Sequence, residues 1–376
     1  MESKGLFSPY QSGFRKGRST MDSILCLESE IRKAQTNKEV VIAVFFDIEK
    51  AYDMLWKEGL LIKLGKLGVR GKVFNWVRDF MFGRSIQVKV GNQYSSTFPV
   101  ENGVPQGSVC SPILFSIMIN DIFESVGGGL GKSLFADDGA LWVRGRNFEY
   151  VQAKLQAAIT KVEKWSETWG FKLSVSKTQS ICFYRRHKIL TLKLYGQIIE
   201  QVTVVRFLGV YLDEALTWRQ HIDKVKEKCK KVNNLLRCLV GREWGADGAA
   251  LRNIYEALMR SRIDYGCVAY MSAAFSHLQK LNVEHSKALR ICCGAVKSSP
   301  GAAVQVLMGE QPLFIRRLKL LLSYWSGLQS HNSSHPTKNV LLDCWEHNEK
   351  YCTSFGWLGN SLADHAGLAN QQYIFL

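Results

Sequence analysis

No stretch of this 376-residue sequence approaches the roughly 20 consecutive apolar residues that a membrane-crossing helix needs. A helical integral membrane protein is therefore not expected. The opening residues, MESKGLFSPYQ, contain no apolar core of a secretory signal. The ten cysteines are scattered without paired CxxC spacing, and Cys110, Cys182 and Cys267 fall within apolar runs. That pattern reads as buried free thiols in a reducing, intracellular compartment and not as a disulfide framework. Cys344 and Cys352 flank His347 at a spacing that suits zinc poorly. Neither an internal repeat nor a low-complexity tract is present, which excludes a repeat array. Acidic residues are also scarce, with 33 Asp and Glu against 49 Lys and Arg, a net charge of +16. Such an excess fits a polyanionic partner, whose phosphates release counterions when neutralised. A basic surface kept for solubility is the plainer alternative.

What is present is enough chain for two or three cores at roughly 100–200 residues each. Val40 to Ile48 (VVIAVFFDI) is a β-branched apolar run, which predicts a strand buried on both faces. A helix is expected from about Trp56 to Met81. Ser85 to Val90 and Tyr94 to Val100 flank Gly91-Asn92, a hairpin signal. Ser111-Pro112 opens the apolar SPILFSIMINDIF, with Ser placed to cap a helix and Pro at its first position. KSLFADDGALWV reads as a hairpin with two carboxylates at its tip. From Phe148 to Trp169 the spacing of Val151, Leu155, Ala158, Val162 and Trp165 predicts an amphipathic helix stopped by Gly170. Strand-like pieces follow at LSVSKTQSICFY and VVRFLGVYL. Beyond Asp213 the texture becomes helical and basic: Ile222, Val225, Cys229, Val232, Leu236 and Leu239 form an apolar stripe, with Lys224, Lys228 and Lys231 on other faces. A boundary is placed near residue 213, and Ser330 to Pro336 reads as a linker.

The carboxylates stand out by their context. Asp47 follows AVFF, and Asp137 and Asp138 follow SLFA, so each lies at the end of a short apolar strand. Two such strands side by side would gather three carboxylates at a sheet rim, and that much like charge calls for cations. Hard oxygen ligands suit Mg²⁺, and a pair of ions roughly 3.5–4 Å apart serves phosphoryl transfer. Taken alone, Asp137-Asp138-Gly139 reads equally well as a tight turn.

Six blocks in order resolve this ambiguity. QSGFRKGRSTMD, FFDIEKAYD, NGVPQGSVCSPILF, FADD, GFKLSVSKT and FLGVYLD, from Gln11 to Asp213, together resemble the reverse transcriptases of non-LTR (LINE-like) retrotransposons. The resemblance implies an α+β right-hand polymerase: palm and partial fingers over residues 1–212 with an antiparallel sheet, a helical thumb and post-thumb region over 213–330, and a tail over 331–376. It implies RNA-directed DNA synthesis from a primer 3′-hydroxyl, with two Mg²⁺ ions, or Mn²⁺ in their place. The ligands it implies are Asp47, Asp137, Asp138 and the backbone carbonyl of Ile48. Asp53 is set aside as structural, capping the following helix. Tyr52 falls where the family places the aromatic that packs under the sugar and leaves no room for a 2′-hydroxyl. Gln106 and Gly107 lie where the family supports template base and incoming nucleotide. Arg15 and Arg18, with Lys16 between them, match the basic motif of the fingers and are assigned to the triphosphate. Lys177 matches the lysine that protonates departing pyrophosphate, and Phe207, Leu208 and Gly209 match the primer grip. Phe135 stands where many relatives have Tyr.

The implied partners are an RNA template, a DNA primer, their hybrid and deoxynucleoside triphosphates, in a nuclear or cytoplasmic ribonucleoprotein. Only ten residues precede Gln11, where relatives carry further fingers sequence, so an N-terminally truncated enzyme is expected. A catalytically idle nucleic-acid-binding remnant is the alternative.

Overall fold

The computed structural model describes residues 5–184, 188–241, 245–332 and 335–338. The cysteine and histidine group at 344–352 lies outside them. The chain forms two compact units, Met1–Ser23 with Lys38–Val202, and Ile24–Asn37 with Thr203–Leu376. The first helix, α1 (Thr20–Asn37), therefore begins in the first unit and belongs mostly to the second.

The first unit is built on β1 (Val40–Phe46), whose seven residues are all buried, as its unbroken apolar run predicts. Two helices follow, α2 (Lys57–Lys66) and α3 (Gly71–Met81), where one is expected. Gly68 breaks the run with φ +80°. Its amide donates to the Gly65 carbonyl and the Val69 amide to the Leu64 carbonyl, the paired bonds of a Schellman stop. The expected hairpin around Gly91-Asn92 exists as two short pairs. β2 (Ser85–Ile86) joins β5 (Phe98–Pro99), and β3 (Lys89–Val90) joins β4 (Gln93–Tyr94). The register shifts by one residue between them, as at a bulge. α4 (Ser111–Ile119) has Pro112 in its first turn, but Cys110 and not Ser111 sits at the cap position. Ser111 is inside the helix, and its hydroxyl donates to the Pro105 carbonyl at 2.6 Å.

β6 (Gly131–Phe135) and β7 (Asp138–Gly145) form the expected hairpin, and α5 (Phe148–Trp169) follows. Asn147 caps α5 through the Tyr150 amide, and Gly170 ends it at φ 73°. LSVSKTQSICFY gives only one strand, β8 (Gln179–Phe183), because its first half is a turn. β9 (Lys193–Leu194) pairs with β10 (Gln197–Ile198), and β11 (Glu200–Gln201) adds to the main sheet. That sheet has the order β11-β8-β1-β7-β6 and is antiparallel apart from the two-residue parallel edge of β11 on β8. Val40, Ile42, Val44 and Phe46 share a core with Leu155, Ile159 and Val162 of α5 and with Phe115 and Met118 of α4. Lys63 is buried beside this core. Its ammonium donates to Asp121 and to the Met118 carbonyl and lies 3.8 Å from the Trp169 ring centre. Burial pulls its pKa down to about 8 against the opposing pull of Asp121.

The second unit opens with a hairpin, β12 (Val204–Phe207) and β13 (Val210–Asp213), within the strand-like run VVRFLGVYL. Leu208 and Gly209 both take positive φ, 45° and 83°, as a type I′ turn requires. Asp213 accepts from the amides of Thr217 and Trp218 and so sets up α6 (Arg219–Leu239). α7 (Gly248–Tyr255), a π-helical turn (Glu256–Arg260) and α8 (Ser261–Asp264) run on directly. α9 (Cys267–Tyr270), α10 (Phe275–Cys292), α11 (Gly301–Met308) and α12 (Leu313–Ser330) follow. α6 packs on α10, and Trp218, Tyr255 and Tyr270 are among the largest fully buried side chains. The α+β class expected from the sequence is observed. Apart from residues 24–37, which join the second unit, the compact units divide between Val202 and Thr203.

Candidate active site

The site starts from strand register. β1 pairs with β7 so that Phe46 faces Gly139. Continuing that ladder by one residue sets Asp47 beside Asp138. β6 pairs with β7 so that Phe135 faces Asp138, which leaves Ala136 and Asp137 as the two-residue tip. Ala136 carries φ 54°, an uncommon conformation for a residue with a side chain. The three aspartates therefore occupy adjacent backbone positions at one rim of the sheet, with Asp137 and Asp138 exposed.

The backbone around Asp47 is held from both sides. Its amide donates to Thr178 Oγ1 at 3.3 Å, and its carbonyl accepts from the Ser174 amide at 2.8 Å. The Glu49 amide donates to the Lys172 carbonyl, so Ile48 bridges Leu173 through its neighbours and its own carbonyl takes no part in that bridge. The GFKLSVSKT turn is thus a cradle for the end of β1, which explains why it does not continue as strand. The same cradle brings the Lys177 ammonium to 3.6 Å from Asp47 Oδ2. That oxygen is buried and accepts no hydrogen bond. An unsatisfied buried carboxylate oxygen beside a second carboxylate-bearing strand is the donor chemistry a hard divalent cation needs. The side chains are not drawn together into a cluster, however. Among the described residues no three carboxylate, imidazole or thiol side chains converge on one metal position. Like charges repel in the absence of a cation, and Lys177 supplies the positive charge nearest Asp47.

A loop from the NGVPQG block closes over the turn after β1. The Gly103 amide donates to the Leu55 carbonyl and the Val104 amide to the Tyr52 carbonyl. A side chain on Gly103 would meet the Asp53 carbonyl oxygen at 2.9 Å, and its φ is +88°, so glycine is required there. Gln106 then donates from Nε2 to Asp53 Oδ1 at 2.8 Å. Asp53 does not cap α2, whose cap position is Trp56 without a side-chain bond; it anchors Gln106 instead. Gly107 is exposed at φ +84°. Tyr52 stacks on Phe115 with centroids 4.6 Å apart and 15° between the planes. Its phenol pKa is raised, first by burial and then by the negative charge of Asp137.

The N-terminal block supports the hairpin from its other edge. Gln11 bridges Leu134 in parallel, the Ser12 amide donates to the Leu134 carbonyl, and the Leu134 amide donates to the Tyr10 carbonyl. Gly13 lies against Ala136, so close that a methyl group would overlap the Ala136 backbone. Arg15 donates from Nη1 to the Ser8 and Gln11 carbonyls at 2.8 and 2.9 Å and packs over Phe7. The basic block thus fastens its own loop to the sheet edge that carries Asp137.

Strand-end aspartates, the Tyr52 ring stacked on Phe115 and the docked Pro-Gln-Gly loop all fall inside residues 1–212, which match the family described as "Reverse transcriptase (RNA-dependent DNA polymerase)". The chain belongs to this family. This chain resembles the RNA-directed DNA polymerase from mobile element jockey of Drosophila melanogaster, 29% identical over 294 residues, 76% of this chain and 32% of that protein. It also resembles the Drosophila funebris jockey polymerase at 27% identity, covering 76% of this chain and 32% of that protein. A Pol polyprotein from the type-1 retrotransposable element R1 of Bradysia coprophila is 24% identical, covering 85% of this chain and 32% of that protein. The chain spans about a third of the length of the curated relatives it matches. Among solved structures, telomerase from Candida tropicalis with a fragment of telomeric RNA covers 93% of this chain and 53% of its own, at 13% identity and a TM-score of 0.43.

Three further expected residues lie in the second unit. Phe207 and Leu208 are buried, and Gly209 forms the hairpin turn with Leu208. Tyr265, which the sequence reading did not single out, donates from Oη to the Leu208 carbonyl at 2.5 Å and packs its ring on Gly209. No local pattern marks that residue, because its partner is brought to it only by the fold.

Proposed function

We propose that the chain is an RNA-directed DNA polymerase that adds deoxynucleotides to a primer 3′-hydroxyl on an RNA template. The observation that carries the reading is the β1–β7 register, which sets Asp47 beside Asp138 under the Asp137 turn. Asp47, Asp137, Asp138 and the Ile48 carbonyl would hold two Mg²⁺ ions, or Mn²⁺. Bound there, such ions supply activation of the attacking hydroxyl and stabilisation of charge on the leaving pyrophosphate. The Tyr52 ring, fixed by its stack on Phe115, limits the sugar to one without a 2′-hydroxyl. Gln106, held by Asp53, positions the loop under the template base and incoming nucleotide with Gly107. Lys177 stands near Asp47 as the donor of a proton to departing pyrophosphate, and Arg15 and Arg18 are assigned to the triphosphate. Phe207, Leu208 and Gly209 form the primer grip.

In this reading residues 1–212 carry palm and part of the fingers, 213–330 the thumb and the helices after it, and 331–376 a tail. The partners are template RNA, primer DNA and their hybrid within an intracellular ribonucleoprotein. Among the described residues no helix is long and apolar enough to cross a membrane. Primer extension on an RNA template with Mg²⁺ tests the proposal. The wild type extends the primer with deoxynucleotides and Asp137→Ala does not; equal inertness of both chains sinks the polymerase reading.

A further inference from the structure

In the first unit, α3 carries its largest side chain on the outside. Tryptophan is highly buried on average, yet Trp76 is 53% exposed. The ring is not loose. It stacks on Phe80, one helical turn further on, with centroids 5.4 Å apart and 10° between the planes. The Arg84 guanidinium lies over the Phe80 ring in turn, 4.6 Å from its centre. Arg84 is itself fixed: its Nε donates to the Phe80 carbonyl at 2.5 Å, and its carbonyl accepts the Val100 amide at the base of the β2–β5 pair. Indole, phenyl ring and guanidinium thus form a column on the outside of α3, anchored at the Arg84 end. Phe80 covers one face of the indole and leaves the other to solvent.

The surroundings of the column are basic. Arg70, Lys72, Arg78, Arg84 and Lys89 stand against Asp79 as the single acid between residues 70 and 89. The β3–β4 pair repeats the association of ring and cation: Tyr94 is 62% exposed, and the Lys89 ammonium lies 5.2 Å from its ring centre. An open aromatic face among cations suits a partner that is both flat and negatively charged. An unpaired nucleobase on its phosphate chain has both properties. A base inside a duplex has no free face to offer.

We propose that Trp76 is a stacking platform for an unpaired base of a single nucleic acid strand, whose phosphates the neighbouring cations attract. The proposal rests on the nucleic-acid reading above and adds to it a site on α3, outside every residue assigned to catalysis, nucleotide or primer. Stacking there is independent of sequence, because every base has a π face. Phe80 and Arg84 orient the indole before the strand arrives, so little ordering is required on binding.

Binding of labelled oligouridylate and oligothymidylate by the full chain, followed by fluorescence anisotropy, tests this. Trp76→Ala weakens binding about tenfold, the loss expected for one stacked base, and Trp76→Phe restores most of it. Trp76→Leu keeps apolar bulk without a π face and behaves like Trp76→Ala. The slope of log affinity against log salt keeps its wild-type value in all three, because no phosphate contact is removed. A loss confined to one oligomer identifies the strand as RNA or as DNA. Thermal unfolding checks that each variant is folded. Unchanged binding of both oligomers by Trp76→Ala overturns the platform, and so does a Trp76→Leu variant that binds as the wild type does. A salt slope lowered in Trp76→Ala makes the effect one of backbone contact and overturns it too. Sedimentation tests the protein-docking reading: a wild type that self-associates where Trp76→Ala stays monomeric makes the ring a contact between copies, which also overturns the proposal. A wild type that binds neither oligomer at low salt removes the nucleic-acid reading itself, and the platform with it.

Discussion

At the scale of single residues, the three aspartates are legible in the sequence because each follows an apolar run that ends where the carboxylate begins. Their supports are not legible, since they come from remote segments. Asp53 looks like a cap for α2 because Asp is favoured at caps and stands just ahead of the helix; only the folded chain shows Gln106 bonded to it. Gly13 offers still less signal, for its φ is ordinary and it lies between Ser12 and the exposed Phe14. Yet it is pressed against the Ala136 backbone at the tip that carries Asp137, and backbone cannot rotate away as a long side chain can. Gly13→Ala is therefore expected to destabilise the first unit by about 1–3 kcal/mol, the usual cost of overfilling a packed site. It should also displace the Asp137 turn. Chemical denaturation together with primer extension checks this; a variant with wild-type stability and wild-type extension would show that the contact is not enforced.

At the scale of elements, strands and helices with a clean period are read correctly, and errors arise where one glycine or one docking contact intervenes. β1, β7 and α5 follow directly from apolar runs and a three-and-four spacing. The long helix expected over residues 56–81 splits because Gly68 can adopt φ +80° and close a Schellman stop that periodicity does not register. VVRFLGVYL is strand-like by its apolar residues alone; the family resemblance implies a hairpin there, and Leu208 and Gly209 make its turn with positive φ. That hairpin makes a graded prediction. Tyr265→Phe removes the donor to the Leu208 carbonyl and should cost about 1 kcal/mol. Gly209→Ala should cost more, because it adds the roughly 1 kcal/mol or more of a left-handed residue with a side chain and also places a methyl 3.0 Å from the Tyr265 ring. Urea midpoints of the two variants give the order; a reversed order would mean that the hydroxyl, not the packing, holds the turn.

At the scale of the whole molecule, the titratable groups that burial perturbs are divided between the two units. Lys63 and Tyr10, shifted in the alkaline range to about 8 and about 12, belong to the first. His221 and His285 belong to the second, and burial pushes both down to about 4, with Arg316 and Arg317 adding to the effect at His285. A histidine whose folded pKa is depressed contributes stability that is full above its unfolded value of 6.5 and is lost as pH falls towards 4. Over that window the unfolded chain binds the proton first, at roughly 3 kcal/mol for each ring. Glu28 and Glu310, in the same unit, act in the opposite sense: burial raises both, so the folded state takes up their protons first and gains stability above pH 4.5 as acid is added. The net acid curve of the second unit is accordingly shallower than its histidines alone would give, and a single variant separates the two effects. His285 Nδ1 and Tyr255 Oη share a hydrogen bond of 2.9 Å in the core. His285→Gln supplies an acceptor without a titrating ring, so its stability should fall less than that of the wild type between pH 6.5 and 4, by roughly 3 kcal/mol. The difference should vanish above pH 7, apart from a constant packing cost. Denaturant unfolding at closely spaced pH values measures it, and parallel curves for the two proteins across this window would show that His285 is not held neutral in the folded chain.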